Sequence, residues 1–323
     1  FTSTTASETL TLLSGVTDAD NAITVEISDA AGANTGTTAL NVNADALVDT
    51  LVVTLIGNDG DNVLVGNATA DTINGGAGAD TITGGAGADT ITGGAGEDTI
   101  ILTETSSAAD VVVINAVVGT SEDSGRKTIS GNANDTGDDT ITGFAVGTDT
   151  VKISASSVAS FLHGTDTTIG TAGAANDGTA GSFASTVGLV ELNQTTNNDW
   201  DDAGDIALTF SSVTGTFNEA NFEAALQYDL TLTNAGVTAT TGVKDDTVTG
   251  GTGADKITGG AGADPITGDA GADVFLIATA ADHATGETIV GGADADTIRF
   301  TSTTASETLA LLAGVTLSLI HIS

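Results

Sequence analysis

Residues 75–98 read GGAGADTITGGAGADTITGGAGED. The stretch repeats every nine residues: Gly at positions 1, 2 and 4, an acid at position 6, an aliphatic residue at position 8. Glycine tolerates backbone conformations that a Cβ resists, so G-G-x-G-x is a tight turn whose carbonyls can be turned inward. The triplet Thr-Ile-Thr that follows is a minimal strand, with its central residue on one face and the threonines on the other. Two nonads then make one coil, turn–strand–turn–strand, and turns on the same side belong to repeats n and n+2. The first stack is built from Leu64, Ile73, Ile82, Ile91 and Ile100, the second from Val248, Ile257, Ile266 and Phe275.

Five contiguous nonads fill 57–101, a second block fills about 241–276, and a detached copy, GGADADTIR, closes at 291–299. The expected fold class is all-β: parallel β-roll (β-solenoid) blocks joined by β-rich segments, solenoid or sandwich, with few short helices. The expected segments are 1–56, β-rich and leading into the first roll; 57–101, the first roll; 102–240, a β-rich intervening domain; and 241–299, the second roll with its closing repeat. Strands are expected at 22–27, 38–43, 49–57, 110–118, 150–154, 188–192 and 206–210. One helix is expected, NEANFEAALQ at 218–227, with Asn218 as cap and Phe222, Ala225 and Leu226 on one face.

The segment 1–17, FTSTTASETLTLLSGVT, recurs at 300–316 as FTSTTASETLALLAGVT, identical at 15 of 17 positions. A unit of 299 residues is therefore expected to be carried in tandem, with 300–316 starting the next copy. The tail LSLIHIS (317–323) looks like translated transposon-end sequencing adapter and is set aside from fold reasoning together with His321.

The 323 residues carry 43 acidic and six basic side chains, a formal charge of −37. Phosphate backbones require clustered Lys and Arg, so a nucleic-acid partner is excluded, and anionic lipid surfaces are disfavoured. No apolar run is long enough to span a membrane. Cysteine is absent, which removes disulfides and thiolate metal sites. Disorder is the bland reading of such acidity, but 40% of the residues are apolar and recur regularly. A fold conditional on a cation is the better reading.

One carboxylate beside several turn carbonyls suits a hard cation with six to eight oxygen ligands, Ca²⁺. Mg²⁺ prefers a tighter octahedron, and zinc would require His or Cys, which the nonads lack. The competing reading is a purely hydrophobic solenoid whose aspartates only shape turns; it leaves the net charge and the fixed place of Asp unexplained. Several turns depart from the pattern: Asn62 replaces the acid, Thr69 replaces a glycine, Lys244 sits in a degenerate turn, and Pro265 takes the first strand position. Sites using these turns should be weaker. Catalytic candidates are poor. His163 and His283 sit in polar loops and read as solvated, and Asp138–Asp139 and Asp201–Asp202 read as exposed turns. The loop NNDWDDAGD (197–205) echoes half an EF-hand but lacks its closing Glu.

The two blocks resemble the RTX (haemolysin-type) calcium-binding repeats of secreted bacterial proteins. The run 138–154 resembles the segment that often follows such blocks. The rest is similar, more loosely, to large bacterial surface, S-layer-like or adhesin-like repeat proteins. The resemblance implies Ca²⁺ ligation by Asp71, Asp80, Asp89, Asp98, Asp246, Asp255, Asp264 and Asp273. The turn glycines Gly76, Gly78, Gly85, Gly87, Gly94, Gly96, Gly251, Gly253, Gly260 and Gly262 would assist through carbonyls. By the turn count about five ions are expected. The expected function is a non-enzymatic, calcium-stabilised segment of a secreted or cell-surface protein. Its expected partners are calcium and like copies of itself or an extracellular ligand. The alternative is the folding module of an exported enzyme or toxin.

Overall fold

A computed structural model describes residues 7–28, 33–47, 50–102, 108–117, 139–145, 147–158, 161–162, 168–170, 186–191, 205–211, 226–232, 235–302, 304, 308–311, 313–316 and 319–322. Its strands alternate between two sheets as the chain winds. The first sheet opens with Glu8–Thr11, Leu40–Asn43, Val63–Val65, Thr81–Thr83, Thr99–Ile101 and Asp139–Thr142. The strands between these in sequence build the second: Ala22–Glu26, Val52–Ile56, Thr72–Ala77, Thr90–Ala95, Val111–Val117 and Thr150–Val158. Pairing is parallel and in register at 18 residues within the nonads, Ile82 against Ile100 and Ile73 against Ile91. The parallel β-roll expected from the nine-residue period is the fold the chain forms.

The second sheet continues through Leu226–Leu232, Thr247–Thr249, Pro265–Thr267, Thr288–Val290 and Val315–Thr316, eleven strands in all. Its facing sheet changes along the way. The first sheet ends on Asp205–Ser211, Thr186–Glu191 and Thr168–Gly170, the last two joined by antiparallel pairing. A third, six-stranded sheet takes its place: Phe161–Leu162, Thr238–Thr240, Lys256–Thr258, Val274–Ile277, Thr297–Phe300 and Leu319–Ile322. The tail set aside from fold reasoning thus supplies a strand, paired in parallel with Thr297–Phe300. An unpaired strand edge accepts any short β-prone segment, and Leu-Ile-His-Ile is one.

The core is a column of aliphatic side chains between the sheets. Leu64, Ile73, Ile82, Ile91, Ile100, Val248 and Ile257 are fully enclosed, and Ile266 and Phe275 nearly so. The column continues past the nonads through Val112, Ile141, Val151, Leu230 and Ile298. Each such side chain contributes about 1.5–3 kcal/mol through burial. Pro265 opens its strand, as its missing N–H requires. The expected helix 218–227 lies outside the described residues up to 225. Leu226 and Gln227 instead begin a strand paired with Val151 and Lys152, because ladder pairing and burial of Leu226 outweigh local helix propensity.

Replacing Ile82 by Ala should lower unfolding stability by about 2–5 kcal/mol in a denaturant titration. The neighbouring Thr81→Ala, on the outer face, should change it by less than about 0.5 kcal/mol.

Candidate calcium sites along an aspartate ladder

Position 6 of each nonad lies where the turn ends and the strand begins, and its carboxylate is turned into the roll. Asp71, Asp80, Asp89, Asp98, Asp246, Asp255, Asp264 and Asp273 are all buried. Their Oδ1 atoms have one repeated partner: each accepts the backbone N–H of the corresponding residue one coil earlier. Val53 donates to Asp71 at 2.9 Å, Asp71 to Asp89 at 2.8 Å, Asn62 to Asp80 at 2.7 Å and Asp80 to Asp98 at 2.8 Å. In the second block Tyr228 donates to Asp246, Asp246 to Asp264, Val237 to Asp255 and Asp255 to Asp273, all within 2.9 Å. The roll is thus stitched along its axis by a carboxylate-to-amide ladder.

The ladder runs beyond the nonads. Asp89 N–H donates to Asp110 Oδ1, Asp110 N–H to Asp149 Oδ1, Asp98 N–H to Asp139 Oδ1 and Asp273 N–H to Asp296 Oδ1. None of the four was picked as a site residue: the turns before Asp110, Asp139 and Asp149 lack the paired glycines, and Asp296 stands in the detached copy 291–299. A weaker signal was present, an Asp two residues before a buried aliphatic: Val112, Val151, Ile141 and Ile298. Asp139, expected as an exposed turn residue, is fully buried. Asp138, Asp201, Asp202, His163 and the Trp200 loop up to residue 204 lie outside the described residues.

The second carboxylate oxygen divides the set. In Asp71, Asp246 and Asp255 it accepts an N–H from four residues back, Asn67, Gly242 and Gly251 respectively. In Asp80, Asp98, Asp264 and Asp273 the Oδ2 atom is buried with no hydrogen-bond partner. Burial pushes Asp80 up to about 8, Asp98, Asp246 and Asp264 up to about 7, and Asp273 up to about 6. Asp71 is raised by the same cause.

These orphaned oxygens face the first glycine of their own turn. A Cβ at Gly75 would collide with Asp80 Oδ2 and with the Gly93 carbonyl of the next same-side turn. Gly268 stands likewise between Asp273 Oδ2 and the Gly291 carbonyl, and Gly250 between the Gly268 carbonyl and the Oδ2 of Asp255, which also accepts the Gly251 N–H. A carboxylate oxygen and a main-chain carbonyl from the neighbouring turn therefore flank one α-carbon, a donor pair suited to a hard cation. Among the described residues no three His, Cys, Asp or Glu side chains gather at one point. An ion held here would draw most of its ligands from the backbone, with Asp80, Asp98, Asp264 and Asp273 supplying the charge.

The glycines picked from sequence stand at positions 2 and 4. Gly76, Gly78, Gly85, Gly87, Gly94, Gly96, Gly260 and Gly262 have positive φ, between 88° and 131°; Gly251 and Gly253 are not among the positive-φ residues. At position 2 the carbonyls of Asn67, Gly242 and Gly251 accept N–H groups of Ala86, Ala261 and Ala270 two turns on. Position 2 thus links the turns, and position 1 faces the carboxylates.

Asn62 keeps the link within its own turn, its Oδ1 accepting the Asn58 N–H, but reverses the rung, its Nδ2 donating to the Leu40 carbonyl one coil earlier. His283, expected to be solvated, is buried with its Nδ1 3.0 Å from the Glu287 carboxylate. A single 3-10 turn, Ala280–Asp282, precedes it and folds the imidazole inward. Burial lowers His283 and, with the Asp264 carboxylate adding to it, raises Glu287 to about 8.

A family model of the RTX calcium-binding nonapeptide repeat matches the chain at four stretches, residues 54–82, 65–100, 240–275 and 284–299. No curated protein matches it. The stretches cover less than a third of the chain and hold both glycine-rich blocks. They are RTX repeats, and the segment they form is a calcium-binding one.

Two outcomes test the ladder. The raised carboxyls bind protons more tightly folded than unfolded, so without metal their stabilisation is complete below about pH 4 and is lost as pH rises through 6–8. In chelator the melting temperature should therefore fall between pH 5 and pH 8, and millimolar calcium should flatten that slope. Asp80→Asn keeps an acceptor for the Asn62 N–H. It should leave the chelated protein as stable or more so, and reduce the rise in melting temperature that calcium produces.

Proposed function

We propose that this chain is a non-enzymatic structural segment of a secreted or cell-surface bacterial protein, folded and stiffened by calcium once outside the cell. The observation that carries the reading is the set of buried, partnerless Oδ2 atoms of Asp80, Asp98, Asp264 and Asp273, each beside a first-position glycine. Buried carboxylates without compensation oppose folding, and a bound cation reverses the sign of that contribution. Where calcium is scarce, mutual repulsion favours the extended chain; in millimolar calcium each ion bridges successive turns and the roll closes.

About five ions, two charges each, would offset about ten of the negative charges. The wide excess of acidic over basic residues leaves little internal neutralisation, which supports dependence on an external cation. Among the described residues no helix is long and apolar enough to cross a membrane, which fits a segment standing clear of the bilayer. The near-identity of 1–17 and 300–316 supports a structural role over the folding module of a single exported enzyme or toxin. A stalk or lattice element gains length from copies, whereas a module serving one catalytic domain does not.

Circular dichroism of the full chain during a calcium titration from chelator tests the reading. Strand signal should grow cooperatively with calcium and magnesium should substitute poorly. Equal strand content at both ends of the titration would sink it.

A further inference from the structure

The recurring segment meets different neighbours in its two copies. In the first copy it engages forward. Glu8–Thr11 pairs with Leu40–Asn43, Ser7 N–H donates to the Ala39 carbonyl at 2.6 Å, and Leu12 N–H donates to Asn43 at 2.8 Å. In the second copy it engages backward. Val315–Thr316 pairs with Ile289 and Val290, Ile289 N–H donates to the Gly314 carbonyl at 3.2 Å, and Gly291 N–H donates to Thr316 at 2.9 Å.

Position by position these two sets do not overlap. The backward set, 314–316, corresponds to residues 15–17 of the first copy, whereas the forward set lies at 7–12. The corresponding glycines record the difference directly. A Cβ on Gly15 would meet nothing within 4 Å, whereas on Gly314 it would lie 2.7 Å from the Glu287 carbonyl and 2.9 Å from Thr288 Cγ2. Leu10 and Val16, and their counterparts Leu309 and Val315, all pack in part against the core.

We propose that this segment is a two-sided splice whose partner is a second copy of the same unit. Its later residues close the strand edge of the preceding roll while its earlier residues open the following one. Tandem copies then run as one continuous roll, not as beads on a flexible string. The contacts are backbone hydrogen bonds and close packing, so the proposal does not depend on which cation the aspartates bind.

Hydrogen exchange on the full chain tests it. The Ile289 and Gly291 amides should exchange slowly, and Gly314→Ala should speed both by about tenfold or more while the core amide of Ile257 keeps its protection. Gly15→Ala, the same change at the same place in the repeat, should leave all three unchanged. A longer chain, in which 18–316 is repeated after Thr316, should scatter as a single rod of nearly twice the length. Fast exchange at Ile289 and Gly291 in the unsubstituted chain, equal effects of the two glycine substitutions, or scattering from two flexibly linked bodies would each overturn the proposal.

Discussion

Everything in this molecule hangs on one contact, a carboxylate oxygen accepting the amide of the residue one coil earlier. In a roll of three-residue strands the N–H at each turn–strand junction has no natural sheet partner, and a buried amide without one costs folding free energy. Asp at position 6 reaches that amide with a side chain of one methylene. The period is fixed as a result, because sliding a coil by one residue would break a rung and expel an aliphatic side chain. The contact also governs the glycine before it, since the other oxygen lies where the Cβ of position 1 would be. At Glu287, which like the ladder aspartates stands two residues before a buried aliphatic, Ile289, the side chain is longer, and His283 lies beside it.

The same contact creates an electrostatic problem that the chain does not solve by itself. Lys152 pairs with Asp229 at 3.2 Å near the surface, while inside the roll His283 lies 3.0 Å from the Glu287 carboxylate and burial pushes both toward their neutral forms. Asp80, Asp98, Asp246 and Asp264 therefore sit in the roll as acids that hold their protons near neutrality or as anions awaiting a counter-charge. Proton and metal ion compete for one oxygen. Acidity and cation supply are thus two controls on a single equilibrium.

Much of this was legible in the residues. A strict nine-residue period places Ile82 and Ile91 inward and pairs turns two repeats apart, because sequence spacing alone determines both. What was not legible depends on neighbours distant in sequence. Asp110, Asp139 and Asp149 follow turns without the paired glycines, and Asp296 stands in a detached copy, so only the stacking of coils shows that they continue the rungs. Leu226 and Gln227 end a stretch with local helical character, yet the next residue, Tyr228, donates its N–H to Asp246, and a strand is what the ladder requires there. His283 looked solvated because the residues around it are polar, and polarity along a loop says nothing about which way one side chain turns. The partition of the acids into those with two amide donors and those with one was also beyond sequence, since it depends on how tightly each turn closes.

The change of facing sheet between the two blocks has a mechanical consequence. From Ala22 to Thr316 the eleven-stranded sheet is unbroken, while the wall opposite it is made first by one sheet and then by another. Tension along the axis is therefore transmitted by a single spine, and bending stiffness must differ between the two sides. A load that compresses the spine opens the seam opposite, and one that stretches the spine closes it. Such a rod yields in a preferred direction, so its side, as well as its length, would be set by how it is anchored.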